Sequence, residues 1–255
     1  MDEDRLLINR AADKYRACGD DYVLTCTPFL DLREQSVLDA WLRREKIKNT
    51  AFFGGYSDAE RSVLCFLPDY ITDAEQFFAE KNPDETPVAA LRATVRSSDT
   101  LTHRDYLGAL MGLGLKREVI GDILVADGFA DIILLREALT LVLRDLNKAG
   151  RAPLDCAELP LAELSPPAAA IRELRDTVAS PRLDAVIGVA FSLSRGKAAE
   201  AVERGLVYIN NRLYEKPDAP VSQGDRLTLR GMGRAVVKEM GGTSRSGRIF
   251  VTVAR

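Results

Sequence analysis

Residues 183–205 constrain the fold more tightly than any other stretch of this chain. Apolar residues fall at Leu183, Val186, Ile187, Ala190 and Phe191, the i, i+3, i+4, i+7, i+8 spacing that buries one face of a helix. Ser194 is a good N-cap, Ala198, Ala201 and Val202 repeat the apolar spacing, and Gly205 supplies a left-handed stop. The region therefore reads as a tight helix-turn-helix pair. A strand over 206–209 follows, then Asn210-Asn211 as a turn that tolerates positive φ. Residues 226–230, entered through Gly224-Asp225, read as a strand able to pair with the first.

Charge on the second helix runs against its dipole. Arg195 and Lys197 occupy the first turn, where cations cost a few tenths to about 1 kcal/mol. Free N–H groups beside two cations suit a phosphate, so the local conflict makes sense if a polyanion docks on this turn. The alternative is a solvated basic turn. The whole chain has a net charge of −3, but residues 181–255 hold thirteen Lys and Arg against seven Asp and Glu, a surplus of +6 that leaves −9 elsewhere. An acidic body with a basic tail implies a polyanionic partner met at one end of the molecule.

The residues Arg182-Leu183-Asp184, Leu193-Ser194-Arg195 with Ala198, Gly205 with Val207 and Asn210, Lys216-Pro217, Val221, and Gly224-Asp225 with Leu227 resemble an S4-type RNA-binding domain over residues 181–230. The resemblance implies two short helices and a hairpin that form an L-shaped surface for structured RNA, with the basic second helix against phosphates. Asn211 stands where such domains more often have Gly. Further on, 234–240 and 249–253 read as strands, joined by a glycine-rich loop, Gly241 to Arg248, that carries Arg245 and Arg248 and suits a flexible finger on an RNA backbone. The expected RNA-binding residues are Arg182, Ser194, Arg195, Lys197, Arg204, Asn210, Arg212, Lys216, Arg230, Arg234, Arg245 and Arg248.

The rest of the chain predicts an α+β protein of three domains: a small N-terminal α/β unit (1–72), a central ferredoxin-like or RRM-like domain (73–165) and the S4-like domain (171–255). Helices are expected over 4–18 and 32–44 and strands over 50–53 and 62–67. The basic run Arg43-Arg44, Lys46 and Lys48 reads as a solvated helix end, with a nucleic-acid contact as the alternative. Acid-rich residues 73–87 mark a boundary or long linker. A strand at 88–96, a helix at 102–113, strands at 120–126 and 129–135 joined by the Asp127-Gly128 hairpin signal, a helix at 136–148 and a short strand near 152–156 give the order β-α-β-β-α-β. The central strands lack the paired aromatics through which such a sheet binds RNA, so a scaffold role is expected. Ser165 to Ala168 is a linker, and 171–179 a strand-like lead into the last domain.

Residues His103 to Glu118 with Ile120-Gly121-Asp122-Ile123, joined to the C-terminal domain, resemble the bacterial YlmH family across nearly the whole chain. Thr102 is expected to cap this helix and His103 to act as a capping or packing residue, with a phosphate contact as the alternative. The family resemblance implies a ribosome-associated factor of quality control. Such a factor sits on the obstructed large subunit, contacts rRNA and tRNA, and supports template-free alanine addition to a stalled chain.

Other function classes find little support. No apolar run is long enough to cross a membrane and the N-terminus, Met1-Asp2-Glu3-Asp4, is unlike a signal peptide, so a cytoplasmic protein is expected. Cys18, Cys26, Cys65 and Cys156 are scattered and His103 is the single histidine, so no metal, cofactor or disulfide framework is expected. Neither a phosphate-cradling glycine loop nor a nucleophile elbow occurs, and no small-molecule substrate or catalytic residue is assigned. S4-type domains also accompany pseudouridine synthases, whose catalytic Asp lies in a Gly-Arg-Leu-Asp sequence. Here Pro181 replaces the Gly and no Thr follows Asp184, so Asp184 reads as a first-turn helix acid able to orient Arg182. An RNA-modifying enzyme of that type, or a cell-division accessory protein, are the alternatives to a non-catalytic RNA-binding factor.

Overall fold

The computed structural model describes residues 2–57, 59–73, 76–78, 86–164, 166 and 172–255. They belong to two compact units, Met1–Pro167 and Ala168–Arg255.

In the first unit, α1 (Asp2–Asp21) and α2 (Leu32–Arg44) pack on a three-stranded sheet ordered β1-β3-β2, with β1 at Thr25–Cys26, β2 at Thr50–Phe53 and β3 at Val63–Phe66. The helix α2 starts where a reciprocal cap forms: the Glu34 N–H donates to Asp31 at 2.9 Å and the Asp31 N–H donates to Glu34 at 2.8 Å. At its far end Arg43 and Arg44 pair with Asp39 and Glu45, as a solvated helix end should.

A five-stranded antiparallel sheet follows, built from β4 (Val88–Val95), β5 (Ile120–Ala126), β6 (Phe129–Leu135), β7 (Lys148–Ala149) and β8 (Ala152–Leu159) in the order β5-β6-β4-β8-β7. The helices α3 (His103–Gly112) and α4 (Arg136–Asp145) cover one face, with Tyr106, Leu110, Leu139 and Val142 against Leu91, Ile120 and Ile132. Without its added edge strand β7 this is the expected ferredoxin-like arrangement. The helix α4 stops three residues earlier than its periodicity suggests, because Lys148-Ala149 turn out to pair with Ala152-Pro153. Val88, Ala90, Ile133, Leu135 and Leu159 on the opposite face share a core with Phe29, Val63, Cys65 and Leu67. Gly55, at φ +90°, lets the turn after β2 approach to where a Cβ would lie 3.3 Å from Leu161. Of the expected linkers, residues 74, 75, 79–85, 165, 167 and 168 lie outside the described residues, as does residue 171 at the start of the expected lead strand.

The second unit is a six-stranded antiparallel sheet with one helix pair. Its strands are β9 (Glu173–Val178), β10 (Val207–Ile209), β11 (Arg212–Tyr214), β12 (Arg226–Leu229), β13 (Gly233–Thr243) and β14 (Ile249–Ala254), ordered β11-β10-β12-β13-β14-β9. The helices α5 (Leu183–Phe191) and α6 (Arg195–Glu203) bury Leu183, Ile187, Phe191, Ala198 and Val202 in one core with Val207, Leu227, Val237 and Val253. The turn between helices is made by Ser192 at φ 53°, and Gly205 ends α6 at φ 68°. Asn210 and Asn211, at φ 51° and 64°, close a hairpin to β11 as well as leading to β12. The expected finger is shorter than its glycines suggest: Gly241 pairs with Phe250 and Thr243 with Ile249 through an irregular register, so the strand runs to Thr243 and residues 244–248 alone form the loop.

Candidate nucleic-acid interface

The interface is built around a buried carboxylate. Asp184 lies in the first turn of α5 and is 3% exposed. Its Oδ1 accepts from Arg182 Nε at 3.1 Å and its Oδ2 from Arg195 Nε at 3.1 Å, while the Ala185 N–H donates to Oδ1 at 2.9 Å. Burial works to raise this carboxyl, and the hydrogen bonds and charges of Arg182 and Arg195 outweigh it, leaving its pKa below the ordinary value. One anion thus fixes two guanidinium groups, Arg182 ahead of α5 and Arg195 at the start of α6, with Arg182 Nη2 also donating to Oδ2 at 3.3 Å and the Arg195 side chain 64% exposed.

This corrects the electrostatic reading of Arg195. Alone on the first turn of α6 it would oppose the dipole, but it has a partner in Asp184 eleven residues earlier. Lys197 fits the original expectation: it is exposed, and no carboxylate among the described residues pairs with it. Ser194 caps the helix, accepting from the Lys197 N–H at 3.4 Å. The N–H groups of Arg195 and Gly196 meet no acceptor among the described residues, and a Cβ on Gly196 would face open space. The first turn of α6 therefore presents free donors, a lysine and an anchored arginine together. The first turn of α5 does not, since its Leu183 and Asp184 N–H groups donate to the carbonyls of Ala219 and Pro217. Those bonds hold the neighbouring Lys216, exposed and without an ion pair among the described residues, beside that helix.

The other expected residues separate into several roles. Arg204 stands at the opposite end of α6, in a 3.4 Å ion pair with Glu200 whose members are both about two-thirds exposed. The Asn210 amide is consumed by the hairpin, donating to Asp225 at 2.8 Å and accepting from the Arg226 N–H at 2.9 Å. Arg212 and Arg230 are exposed on or beside the strands, and Arg234 is half-buried on β13. Arg245 is exposed at the loop tip, whereas Arg248 is tied back to β9, its Nε donating to Thr177 Oγ1 at 2.9 Å. Arg195 and Arg248 nonetheless line the same groove. Sequence reasoning missed Asp176 and Thr177 in that groove. Their strand was legible, but its pairing with β14 joins segments some seventy residues apart and leaves no local signal.

In the first unit, the Thr102 N–H and hydroxyl donate to Asp105 at 2.8 and 2.7 Å at the start of α3. His103 is largely exposed there, and partial desolvation, then the Arg117 charge, lowers its pKa. The sheet face that an RRM uses for RNA is partly closed by the core shared with Phe29 and Val63. Farther along, Arg92 forms a bidentate pair with the fully buried Asp131 at 2.7 and 2.8 Å and lies 4.3 Å over the Phe129 ring. Among the described residues no helix is long and apolar enough to cross a membrane, and no cluster of His, Cys, Asp or Glu is suited to a metal.

A helix pair with two cations at the start of its second helix, packed on a small antiparallel sheet and joined to a separate α/β unit, defines a mixed α/β protein with a C-terminal S4 domain; the S4 family model matches residues 181–227. A second family model, described as "Putative RNA-binding domain in YlmH", matches residues 96–163, which stands against a purely scaffolding role for the central sheet. The "Ribosome-associated protein quality control protein P2" of Bacillus subtilis (strain 168) is 34% identical over 256 residues, covering 99% of this chain and 95% of that protein. The chain belongs to this family, the YlmH family. A solved structure, "Cell division protein ylmH from Streptococcus pneumoniae", shares the fold at a TM-score of 0.52 and 22% identity, covering 63% of this chain and 93% of that one.

Proposed function

We propose that this protein is a non-catalytic, cytoplasmic RNA-binding factor that holds rRNA and tRNA on the large ribosomal subunit during ribosome-associated quality control, supporting C-terminal alanine tailing of stalled chains. The observation that carries the RNA reading is the first turn of α6, where free N–H groups, Lys197 and the Asp184-anchored Arg195 face solvent together. Such a turn positions a phosphate and needs no nucleophile. The quality-control assignment rests on kinship with the Bacillus protein, whose name states that role. Asp184, the residue that a pseudouridine synthase would use, is buried and bonded to two arginines, which supports a structural anion. The chemistry then belongs to the ribosome, and the protein supplies register.

Gradient sedimentation of cell extract tests the reading. Co-migration with free large subunits, increased when chains are stalled and reduced by puromycin, is expected. Absence from every ribosomal fraction contradicts it. Mass analysis of bound RNA tests the non-catalytic part, because a stoichiometric base change would replace it with an enzyme.

A further inference from the structure

A groove of about 260 Å³ lies between the helix pair, β9 and the 244–248 loop. It is smaller than the roughly 300–1,000 Å³ of pockets for drug-sized ligands, which suits one planar ring system rather than a whole nucleotide. Ala185, Val189 and Leu193 give it apolar walls, and Gly188 contributes no side chain to fill it. Arg195, anchored on Asp184, and Arg248, anchored on Thr177, both line it. A third polar group is out of place for a phosphate site: Asp176 also lines the groove, is exposed, and has no ion-pair partner among the described residues. Its Oδ1 accepts from the Thr177 N–H at 2.7 Å, which leaves Oδ2 and the remaining lone pairs open.

An unpaired carboxylate repels a phosphate backbone, but it accepts from the donor edge of a base. We propose that this groove receives one unstacked guanine of the bound RNA, with Asp176 accepting from the adjacent N1–H and N2–H groups and an arginine plane covering the ring. Guanine is the base that sets two donors side by side on its Watson–Crick edge. Uracil offers one imino N–H between two carbonyl oxygens, which a carboxylate opposes. Recognition of splayed bases by stacking and edge contacts is the usual mode for single-stranded RNA segments. The inference rests on the RNA-binding reading above and adds a base preference to it.

The test uses the full-length protein and two nonanucleotides, nine uridines and the same strand with a central guanosine, in fluorescence anisotropy at fixed salt, with total tRNA as a structured control. The wild type is expected to bind the guanosine strand about tenfold more tightly, the scale of one good bidentate base contact. Asp176→Asn is expected to lose that preference while keeping or raising its affinity for the uridine strand, since an exposed carboxylate that opposes uracil is removed from an edge strand without disturbing the fold. Thermal melting checks the fold, and Asp176→Ala should behave alike. Equal wild-type affinity for both strands, or a preference that survives both substitutions, overturns the base pocket while tRNA binding keeps the broader reading. Failure to bind tRNA or either strand overturns both.

Discussion

Two residues apart on one helical turn, Arg195 and Lys197 stand in opposite electrostatic positions. Lys197 feels the unfavourable end of the helix dipole without compensation, so Lys197→Ala is expected to leave stability unchanged or raise it by a few tenths of a kcal/mol. Arg195→Ala should instead cost about 1 kcal/mol, a value discounted for its 64% exposure and for the partner that Asp184 keeps in Arg182. Urea melts distinguish the two. The sign with pH follows from Asp184, whose carboxyl is lowered in the fold. Its stabilisation is fully present above the ordinary carboxylate pKa of about 4 and is lost as pH falls through the lowered value. The gap between wild type and Arg195→Ala should therefore narrow as pH falls below about 4; a gap that does not change with pH would show that Arg195 acts by packing. The placement of Arg195 and Lys197 in the first turn of a helix capped by Ser194 was legible. The pairing of Arg195 with Asp184 was not, since no periodicity links the first turns of two different helices.

At the scale of elements, the helix pair carries the fold and its rim carries the charge. Ile187 is fully buried in the core of the second unit, so Ile187→Ala should cost about 2–5 kcal/mol while the salt dependence of RNA binding by the folded fraction stays unchanged. The 244–248 loop separates its two arginines: Arg245→Ala should weaken binding with no change in melting, because its side chain is exposed at the loop tip. Arg248→Ala should lower stability by a few tenths to about 1 kcal/mol as well, since it releases Thr177. Equal melting of the two variants would show that the tie to β9 contributes nothing. The β5–β6 hairpin and α2 were legible to the residue, the first from Asp127-Gly128 between apolar runs and the second from its helical spacing. The strands β1, β7 and β11, two or three residues each, were not, because their short runs mix polar and apolar residues, whereas the equally short β10 is wholly apolar. The length of the finger was misread because glycine signals flexibility in sequence, while pairing with Phe250 and Ile249 held two glycines in the strand.

Over the whole molecule, charge and architecture divide at the same place. The basic surplus of residues 181–255 falls inside the unit Ala168–Arg255, which has its own core. That unit alone should retain most of the affinity for structured RNA in a gel shift at fixed salt, and Met1–Pro167 alone should bind more weakly. The division was readable as a count of charges. The core that joins Phe29 and Val63 to Val88 and Ile133 was not, because it joins segments of different periods across a long connection. The most direct test of the account is the slope of log affinity against log salt for tRNA bound by wild type and by the Arg195→Ala, Lys197→Ala double variant. If each cation neutralises one phosphate, the slope should fall in magnitude by roughly 1 to 2 units, at about 0.7–0.9 per contact, with a lower affinity at every salt concentration. An unchanged slope and affinity would contradict the claim that RNA docks on the first turn of α6.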